Sequence, residues 1–373
     1  MNGKETKGML KKVRRILPFL RSKLAYSASG VFKGYAGFPR TIYIGITNKC
    51  NLKCKMCDLG QGVGSVYKKH LSPKADLPLE DWKRLIDEVT EFNPAIEFCA
   101  AEPLLYKGLI PLVKYIKKDK GLECRIYSNG YFLEEQGEQL SEADIDQLIV
   151  SIDGPPQIHD YIRGMPGLFE KVALGLKRFQ NNRYHRDTPV DINYTICEHN
   201  FRELRHTLRI LMDYGIKFTR FTVILTLFVT RKMAEEHNRI HPELPVTEIC
   251  ETGVNFNAID TEVLKSEIIR LMRDYPKIVR FYPHFDLSLI GEWYKSAGNF
   301  IGNNSCHFVW NSASITSEGE VIPFVRCVDK SFGNITKERF KLIWNSDEFR
   351  KFRITTKKSL FPICARCSAS FMK

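Results

Sequence analysis

Apolar residues recur at two different spacings along most of the chain, and segments of the two kinds alternate. Strand-like segments are predicted at 41–47, 95–99, 124–128, 148–153, 190–196 and 218–226. Helix-like segments lie between them, at 79–92, 109–118, 140–147, 167–180 and 200–214. Parallel neighbours need long crossover connections, and strands this apolar suit a sheet covered on both faces. The pattern therefore predicts an α/β fold built on a parallel sheet.

Changes in this pattern divide the chain. Residues 227–260 are irregular enough to form a lid or a substrate-specific insertion, and a helix and a strand then restore the alternation. From about residue 299 the chain has short strands, turns and cysteines. We therefore expect a basic N-terminal arm (1–40), a main domain (41–298) and a small C-terminal α+β domain (299–373).

Composition adds one constraint, because the positive charge is concentrated at the two ends. The 373 residues are 43% hydrophobic and 27% charged, which excludes a disordered chain. Of the net charge of +13, residues 1–25 carry +7 and residues 337–373 carry +7, so the body is nearly neutral. We expect no nucleic acid partner. The longest apolar run, 221–229, is also shorter than the roughly twenty residues that a membrane span needs.

The basic N-terminal segment has an amphipathic pattern. Lysines and arginines flank an apolar stripe at helical spacing, which consists of Met9, Leu10, Val13, Ile16, Leu17, Leu20 and Leu24. Such a helix can lie on an anionic membrane surface, or it can pack its stripe on the main domain. No secretory signal is recognisable, so we expect a cytoplasmic protein, peripheral on the inner membrane face if the arm binds lipid.

Three of the eleven cysteines form a compact motif directly after the first strand. Cys50, Cys54 and Cys57 are spaced as Cys-x3-Cys-x2-Cys. In a reducing compartment, clustered cysteines hold metal more often than they form disulfides. Thiolates select iron–sulfur clusters or zinc, and three ligands leave open a position that a structural site would close. A zinc knuckle is the alternative.

This motif in this position resembles the radical S-adenosylmethionine (SAM) superfamily, although Met56 stands where the family usually has an aromatic residue. The resemblance implies a partial (β/α)6 TIM-like barrel and a [4Fe-4S] cluster whose open iron binds the amino and carboxylate groups of SAM. It also implies reductive cleavage of SAM to a 5′-deoxyadenosyl radical, which removes a hydrogen atom from the substrate. An electron donor such as flavodoxin or ferredoxin is implied as a partner.

Two further segments match the family in the expected order. Ala100-Ala101-Glu102-Pro103 resembles its GGEP segment, which would place Glu102 at the SAM amino group. The alternative for Glu102 is a carboxylate at a helix start. Ser128 and Asn129, followed by glycine, resemble the family's TNG segment near the SAM ribose, although Asn-Gly is also a turn signal.

A third segment follows the fourth predicted strand. Its resemblance to the family implies that Ser151, Asp153 and Arg163 bind SAM, with Ser151 and Arg163 at the carboxylate. The alternative is ordinary surface polarity. Asn200, after the fifth strand, is expected to cap the next helix rather than to contact SAM.

A second group of cysteines lies near the C-terminus: Cys306, Cys327, Cys364 and Cys367. Four thiolates suit a closed site, either [4Fe-4S] or zinc. The surrounding segments resemble the SPASM and twitch domains of radical SAM enzymes, and the cysteine count implies one auxiliary [4Fe-4S] cluster. The remaining cysteines (99, 124, 197 and 250) are expected to be buried as small hydrophobic residues, although Cys99 and Cys197 could donate hydrogen to a substrate radical.

The substrate is the least constrained part of the prediction. We expect redox tailoring, either dehydrogenation or epimerisation, of a carbohydrate-like or other small metabolite. The alternatives are radical modification of a peptide or of a membrane lipid and, more remotely, a non-catalytic zinc or iron–sulfur protein. No catalytic base or hydrogen donor can be assigned from the sequence.

Overall fold

The computed structural model describes residues 33–57, 76–182, 184, 187–247, 253–302, 305–325 and 327–371. The amphipathic segment of the arm and Cys250 lie outside the described residues. Among the helices that are described, none is both long enough and apolar enough to cross a membrane.

One sheet of nine strands organises the described part of the chain, in the order β7-β6-β5-β4-β3-β2-β1-β8-β9. Its strands are β1 Thr41–Ile44, β2 Ala95–Phe98, β3 Glu123–Ser128, β4 Gln147–Ser151, β5 Val190–Thr195, β6 Arg220–Ile224, β7 Val279–Tyr282, β8 Ser312–Ile315 and β9 Val321–Ile322. Strands β1 to β8 pair with one another in parallel, and β9 pairs with β8 in the antiparallel direction. This arrangement confirms the predicted α/β fold with a mostly parallel sheet.

Helices connect successive strands, as crossover connections require. In chain order they are α1 Leu79–Val89, α2 Leu109–Lys114, α3 Leu133–Glu142, α4 Pro156–Arg163, α5 Leu168–Asn181, α6 Leu204–Asp213, α7 Arg231–Ile240, α8 Thr261–Asp274, α9 Ile290–Lys295, α10 Phe308–Asn311, α11 Phe340–Trp344 and α12 Asp347–Lys358. The helix predicted at 140–147 is wrong. It ends at Glu142, because Asp144 adopts a left-handed conformation (φ 64°) and β4 begins at Gln147.

The two faces of the sheet differ in polarity. Ile42, Ile44 and Ile96 are fully buried on the face that the helices cover. On the other face, which lines the inside of the partial barrel, Arg125 Nη1 donates to Glu97 Oε1 (2.7 Å) and Tyr127 OH donates to Glu97 Oε2 (3.1 Å). Only the outer face is therefore as apolar as the sequence suggested.

The C-terminal region contacts both edges of the part of the sheet that strands β1 to β7 form. β8 pairs with β1 along one edge, and Tyr282 OH, at the end of β7, donates to the Ser368 carbonyl (2.7 Å). Arg366 is fully buried and donates to carbonyl oxygens at the end of α9, including those of Glu292 and Ser296. The C-terminal residues therefore close over the open side of the barrel.

Candidate active site

The three-cysteine loop begins a few residues beyond the carboxyl end of β1. Burial raises the pKa of the Cys54 thiol to about 11, and the neighbouring Arg163 guanidinium opposes the shift. Cys57, Asp153 and Cys50 raise that pKa further, which means that the three thiols lie within electrostatic reach of one another. Cys50 is exposed and Cys57 is half-buried, so one side of the group is open.

The C-terminal end of α4 holds this loop in place. The Lys55 N–H donates to the Ile162 carbonyl (2.8 Å). Gly164, which ends α4 with φ 72°, packs so closely that a Cβ there would lie 2.8 Å from the Lys53 carbonyl oxygen. Because any side chain at Gly164 would displace the loop, glycine is required at this contact.

Two side chains donate hydrogen bonds to cysteine sulfurs. Arg163 Nη1 lies 3.9 Å from Cys54 Sγ, and Asn129 Nδ2 lies 4.0 Å from Cys50 Sγ. Donors at these positions favour the thiolate form that binds metal. Two residues predicted at SAM therefore also contact cysteine sulfurs of the loop.

Asp153 and Arg163 form a buried ion pair. Arg163 Nε donates to Asp153 Oδ2 (2.6 Å), its Nη2 contacts the same oxygen, and the Thr195 N–H donates to Oδ1 (2.8 Å). Surface polarity, the alternative for Arg163, is wrong, because only 8% of the residue is exposed. Its contact with the SAM carboxylate stays a prediction. In the structure the guanidinium is committed to Asp153 and Cys54.

Asn200 does not cap the helix that follows it, so that prediction is wrong. α6 begins at Leu204, with Glu203 at the capping position. The Asn200 amide instead donates to the carbonyls of Asp153 (2.9 Å) and Thr195 (2.8 Å), and its Oδ1 accepts from the Cys197 N–H (2.8 Å). Asn200 thus joins the ends of β4 and β5 behind the ion pair.

Glu102 is the centre of a second buried network. Its carboxylate accepts hydrogen bonds from Ser128 Oγ (2.9 Å), the Asn129 N–H (2.7 Å) and the Leu104 N–H (3.2 Å). The last bond caps the short 3-10 helix Pro103–Leu105, which is the role named as the alternative. Ser151, at the end of β4, is half-buried and joins neither network in the described structure.

Burial raises the pKa of the Glu102 carboxyl to about 7, although its three hydrogen bonds oppose the shift. When the pKa of a carboxyl is higher in the folded than in the unfolded protein, its protonation stabilises the folded state. This contribution is complete below the unfolded-state pKa and is lost as the pH rises through the folded-state pKa. We therefore expect unfolding free energy to fall between about pH 4.5 and 7 because of this group.

The Glu102→Gln variant should lack this component of the pH dependence. Urea unfolding of both proteins at pH 5 and pH 8 measures it, and the wild type should lose about 3 kcal/mol more than the variant. Equal pH dependence in the two proteins would show that the Glu102 carboxyl is ionised throughout this range.

The residues before Glu102 have an unusual backbone conformation. Ala100 and Ala101 have φ values of 72° and 45°, a region in which glycine is unstrained and alanine is not. Ala100 and Ala101 therefore adopt a conformation that favours glycine, the residue at both corresponding positions of the GGEP segment.

Replacing either alanine by glycine should raise the free energy of unfolding by about 0.5 to 1 kcal/mol, because strain relief exceeds the added entropy of the unfolded chain. Chemical denaturation of Ala100→Gly and Ala101→Gly measures the change. Ala95→Gly, in β2, is the matched control and should destabilise the protein. Destabilisation of all three variants would show that Ala100 and Ala101 are not strained.

The structure brings the four C-terminal cysteines together. Burial raises the pKa of the Cys364 thiol, and the nearby Cys327, Cys367 and Cys306 raise it further. Burial also raises the pKa of the Cys306 thiol, and the backbone N–H groups of Val309 and Phe308, where α10 begins, oppose that shift. These thiols converge although the first and last belong to distant parts of the sequence.

The donor set fits a cluster. Among the described residues, no three cysteine, histidine or carboxylate side chains converge closely enough to hold a single metal ion. Thiolates around one zinc ion lie about 2.3 Å from the metal and therefore about 4 Å or less from one another. Four thiols within electrostatic reach of one another are donors that a four-iron cluster takes, and a zinc ion accepts the same donors.

A small cavity of about 50 Å³ was not predicted from the sequence, and its lining includes residues next to one cysteine of each group in the chain. Asn48 lies just before Cys50, and Val325 lies just before Cys327. The other residues of the lining are mostly apolar: Tyr43, Gly45, Cys99, Ala100, Ser314, Ile315, Thr316, Ser317, Ile322 and Phe324. Cys99 is half-buried here, not buried as expected, whereas Cys124 and Cys197 are buried. In the sequence, the only indication of this cavity wall is Tyr43, which the two-residue period of β1 places on the inner face of the sheet.

Comparison with known families agrees with this geometry. The family model of the radical SAM superfamily matches residues 44–211, and that of the SPASM iron–sulfur cluster-binding domain matches residues 306–368. The chain is a radical SAM protein with a SPASM domain. This combination implies a [4Fe-4S] cluster that binds SAM and auxiliary cluster chemistry in the SPASM domain.

Similar proteins extend over most of this radical SAM protein. The AdoMet-dependent heme synthase of Methanosarcina barkeri is 28% identical over 326 residues, which cover 84% of this chain and 85% of the relative. A tungsten-containing aldehyde ferredoxin oxidoreductase cofactor-modifying protein of Pyrococcus furiosus is 22% identical over 88% of this chain and 86% of its own. Streptococcus suis SuiB bound to S-adenosylmethionine shares the fold, with a TM-score of 0.58 and 14% identity over 88% of this chain and 72% of its own.

Proposed function

We propose that this radical SAM enzyme performs redox tailoring of a small metabolite, by dehydrogenation or epimerisation. The observation that carries the proposal is the small, mostly apolar cavity whose lining includes Cys99, together with Asn48 and Val325, which precede Cys50 and Cys327 by two residues. When bound, SAM and its cluster would supply a radical that removes a hydrogen atom from the substrate. We place the reacting part of the substrate in this cavity, beside Cys99.

The residues around the cavity have separate tasks in this proposal. Glu102 and Asn129 would hold SAM, with one oxygen lone pair of the carboxylate still open to an ammonium group. Arg163 and Asp153 would fix the loop that carries Cys54. Cys99, which lines the cavity, is placed to return a hydrogen atom if the outcome is epimerisation.

Support for a small substrate comes from the relatives and from the cavity. The names of two similar proteins specify heme synthesis and cofactor modification, and neither names a peptide. The cavity wall is mostly apolar, so the reacting part of the substrate should be uncharged. A carbohydrate ring with its C–H face inward, or another small metabolite, meets this condition.

Anaerobic reconstitution tests the proposal. We expect roughly eight irons per chain, and 5′-deoxyadenosine on addition of dithionite and SAM. Deuterated sugars, porphyrins, peptides and lipids can then be compared, because the true substrate transfers deuterium to 5′-deoxyadenosine. A protein that holds only zinc and does not cleave SAM would contradict the enzyme, and deuterium from a peptide or lipid alone would contradict the substrate class.

The proposal includes two partners. Flavodoxin or ferredoxin would supply the electron for SAM cleavage. The basic segment of residues 1–25 would give peripheral contact with anionic lipid on the inner membrane face, although its neighbourhood lies outside the described residues. Sedimentation with anionic vesicles tests this contact, and equal pelleting of a chain that starts at residue 33 would contradict it.

A further inference from the structure

A groove along α12 is rich in positive charge. Its lining consists of Lys33, Asp347, Arg350, Lys351, Ile354, Lys357 and Lys358. Five of these side chains are cationic and one is anionic. Asp347 pairs with Arg350, whose Nη1 lies 3.4 Å from the carboxylate, and with five cations and one anion the lining has a formal charge of +4.

This excess is local and does not simply reflect the basic composition of the C-terminal region. A second groove of the same region is lined by Arg84, Lys337 and Arg339, and also by three carboxylates, those of Asp87, Glu88 and Glu338. Its charges balance. Of these two grooves, only that of α12 offers a continuous cationic surface, which attracts an acidic partner.

The other side of α12 faces the auxiliary cysteines. The ring of Phe352 lies 5.7 Å from the ring of Phe361, and the Phe361 carbonyl accepts a hydrogen bond from the Cys364 N–H (2.8 Å). The helix α12, which is about 10–12 Å across, and the Phe361 ring therefore lie between the basic groove and Cys364. A partner in the groove would lie close to the auxiliary site without entering the substrate cavity.

We propose that the α12 groove docks an acidic one-electron carrier protein, which exchanges an electron with the auxiliary site. The proposal rests on the proposed function, because a radical enzyme of this kind needs an external carrier. In the exchange one electron passes from the reduced carrier to the auxiliary centre or back, and no bond forms or breaks. Lipid and nucleic acid also carry negative charge, but the position of the groove behind Cys364 gives neither of them a task.

Charge reversal in the groove tests the docking. Lys351→Glu/Lys358→Glu changes two exposed residues of the groove, and Lys118→Glu/Lys277→Glu changes two exposed lysines near the amino ends of β3 and β7 by the same total charge. Reduction of the reconstituted protein by reduced flavodoxin, and in a second series by ferredoxin, is followed anaerobically by cluster absorbance. We expect the groove variant to react at least about tenfold more slowly at low salt, with the control unchanged. Dithionite, which needs no docking surface, should reduce all three proteins equally.

The wild type supplies a test that needs no substitution. Its reaction with the carrier should slow at least about tenfold between low and high ionic strength, because salt screens the attraction. Equal carrier rates in the groove variant and the control, or a rate that ignores salt, would overturn the proposal. A groove variant that loses its binding to anionic vesicles but keeps its rate of reaction with the carrier would also overturn the proposal. If the wild type accepts electrons but does not cleave SAM, the proposed function fails while the docking surface stands.

Discussion

Replacing Cys54 by alanine is expected to abolish SAM cleavage, with 5′-deoxyadenosine below about 1% of the wild-type amount. Cys54 is the buried member of the three-cysteine loop, and Arg163, through its contact with the sulfur, connects it to the Asp153 ion pair. Two remaining thiolates would not retain a cluster whose fourth iron must stay open. Anaerobic iron analysis should therefore show a loss of about four irons per chain.

Cys124→Ala is the matched control for this variant. Cys124 is equally buried but lies on β3, outside both cysteine groups. It should keep its iron and cleave SAM normally. Wild-type cleavage by the Cys54→Ala protein would show that the loop does not hold the catalytic cluster.

Cys364→Ala is expected to separate SAM cleavage from product formation. The variant removes one of the four C-terminal thiols and leaves the loop after β1 intact. Some uncoupled cleavage should persist, while product falls below detection, because an incomplete auxiliary site cannot exchange an electron with the substrate radical. Chromatography of 5′-deoxyadenosine and product from the same reactions gives the ratio of product to 5′-deoxyadenosine.

Full product yield from Cys364→Ala would remove the auxiliary site from the chemistry. Cys124→Ala serves again as the control, since Cys124 is buried on β3 and belongs to neither cysteine group. It should form both compounds in the wild-type ratio.

Sequence patterns predicted the strands of the main sheet well, because each apolar strand and its crossover helix is a local feature. The cysteine motifs were also readable, since metal chemistry restricts ligand type and spacing. The fold brings the thiols of each group within electrostatic reach of one another, and their roles as metal ligands stay predictions. The residue-by-residue SAM contacts stay predictions.

Other features depend on contacts between distant residues and had no local signal. Asn200 follows a strand and precedes a helix, so capping was the natural expectation, but its amide satisfies carbonyls on two strands. The pairing of β8 with β1 joins segments about 270 residues apart in the sequence. Tyr43 and Tyr282 resemble ordinary strand residues until the barrel places both beside the C-terminal region.

The pairing of β8 with β1 has a consequence for biosynthesis. A ribosome completes β1 early, but its neighbour on one side is translated only when the chain reaches residue 315. Until then the edge next to the cysteine loop has exposed backbone groups that can pair with other chains. We therefore expect ribosome-bound fragments that stop before β8 to aggregate unless a chaperone covers this edge, which sedimentation of such fragments with and without chaperone would show.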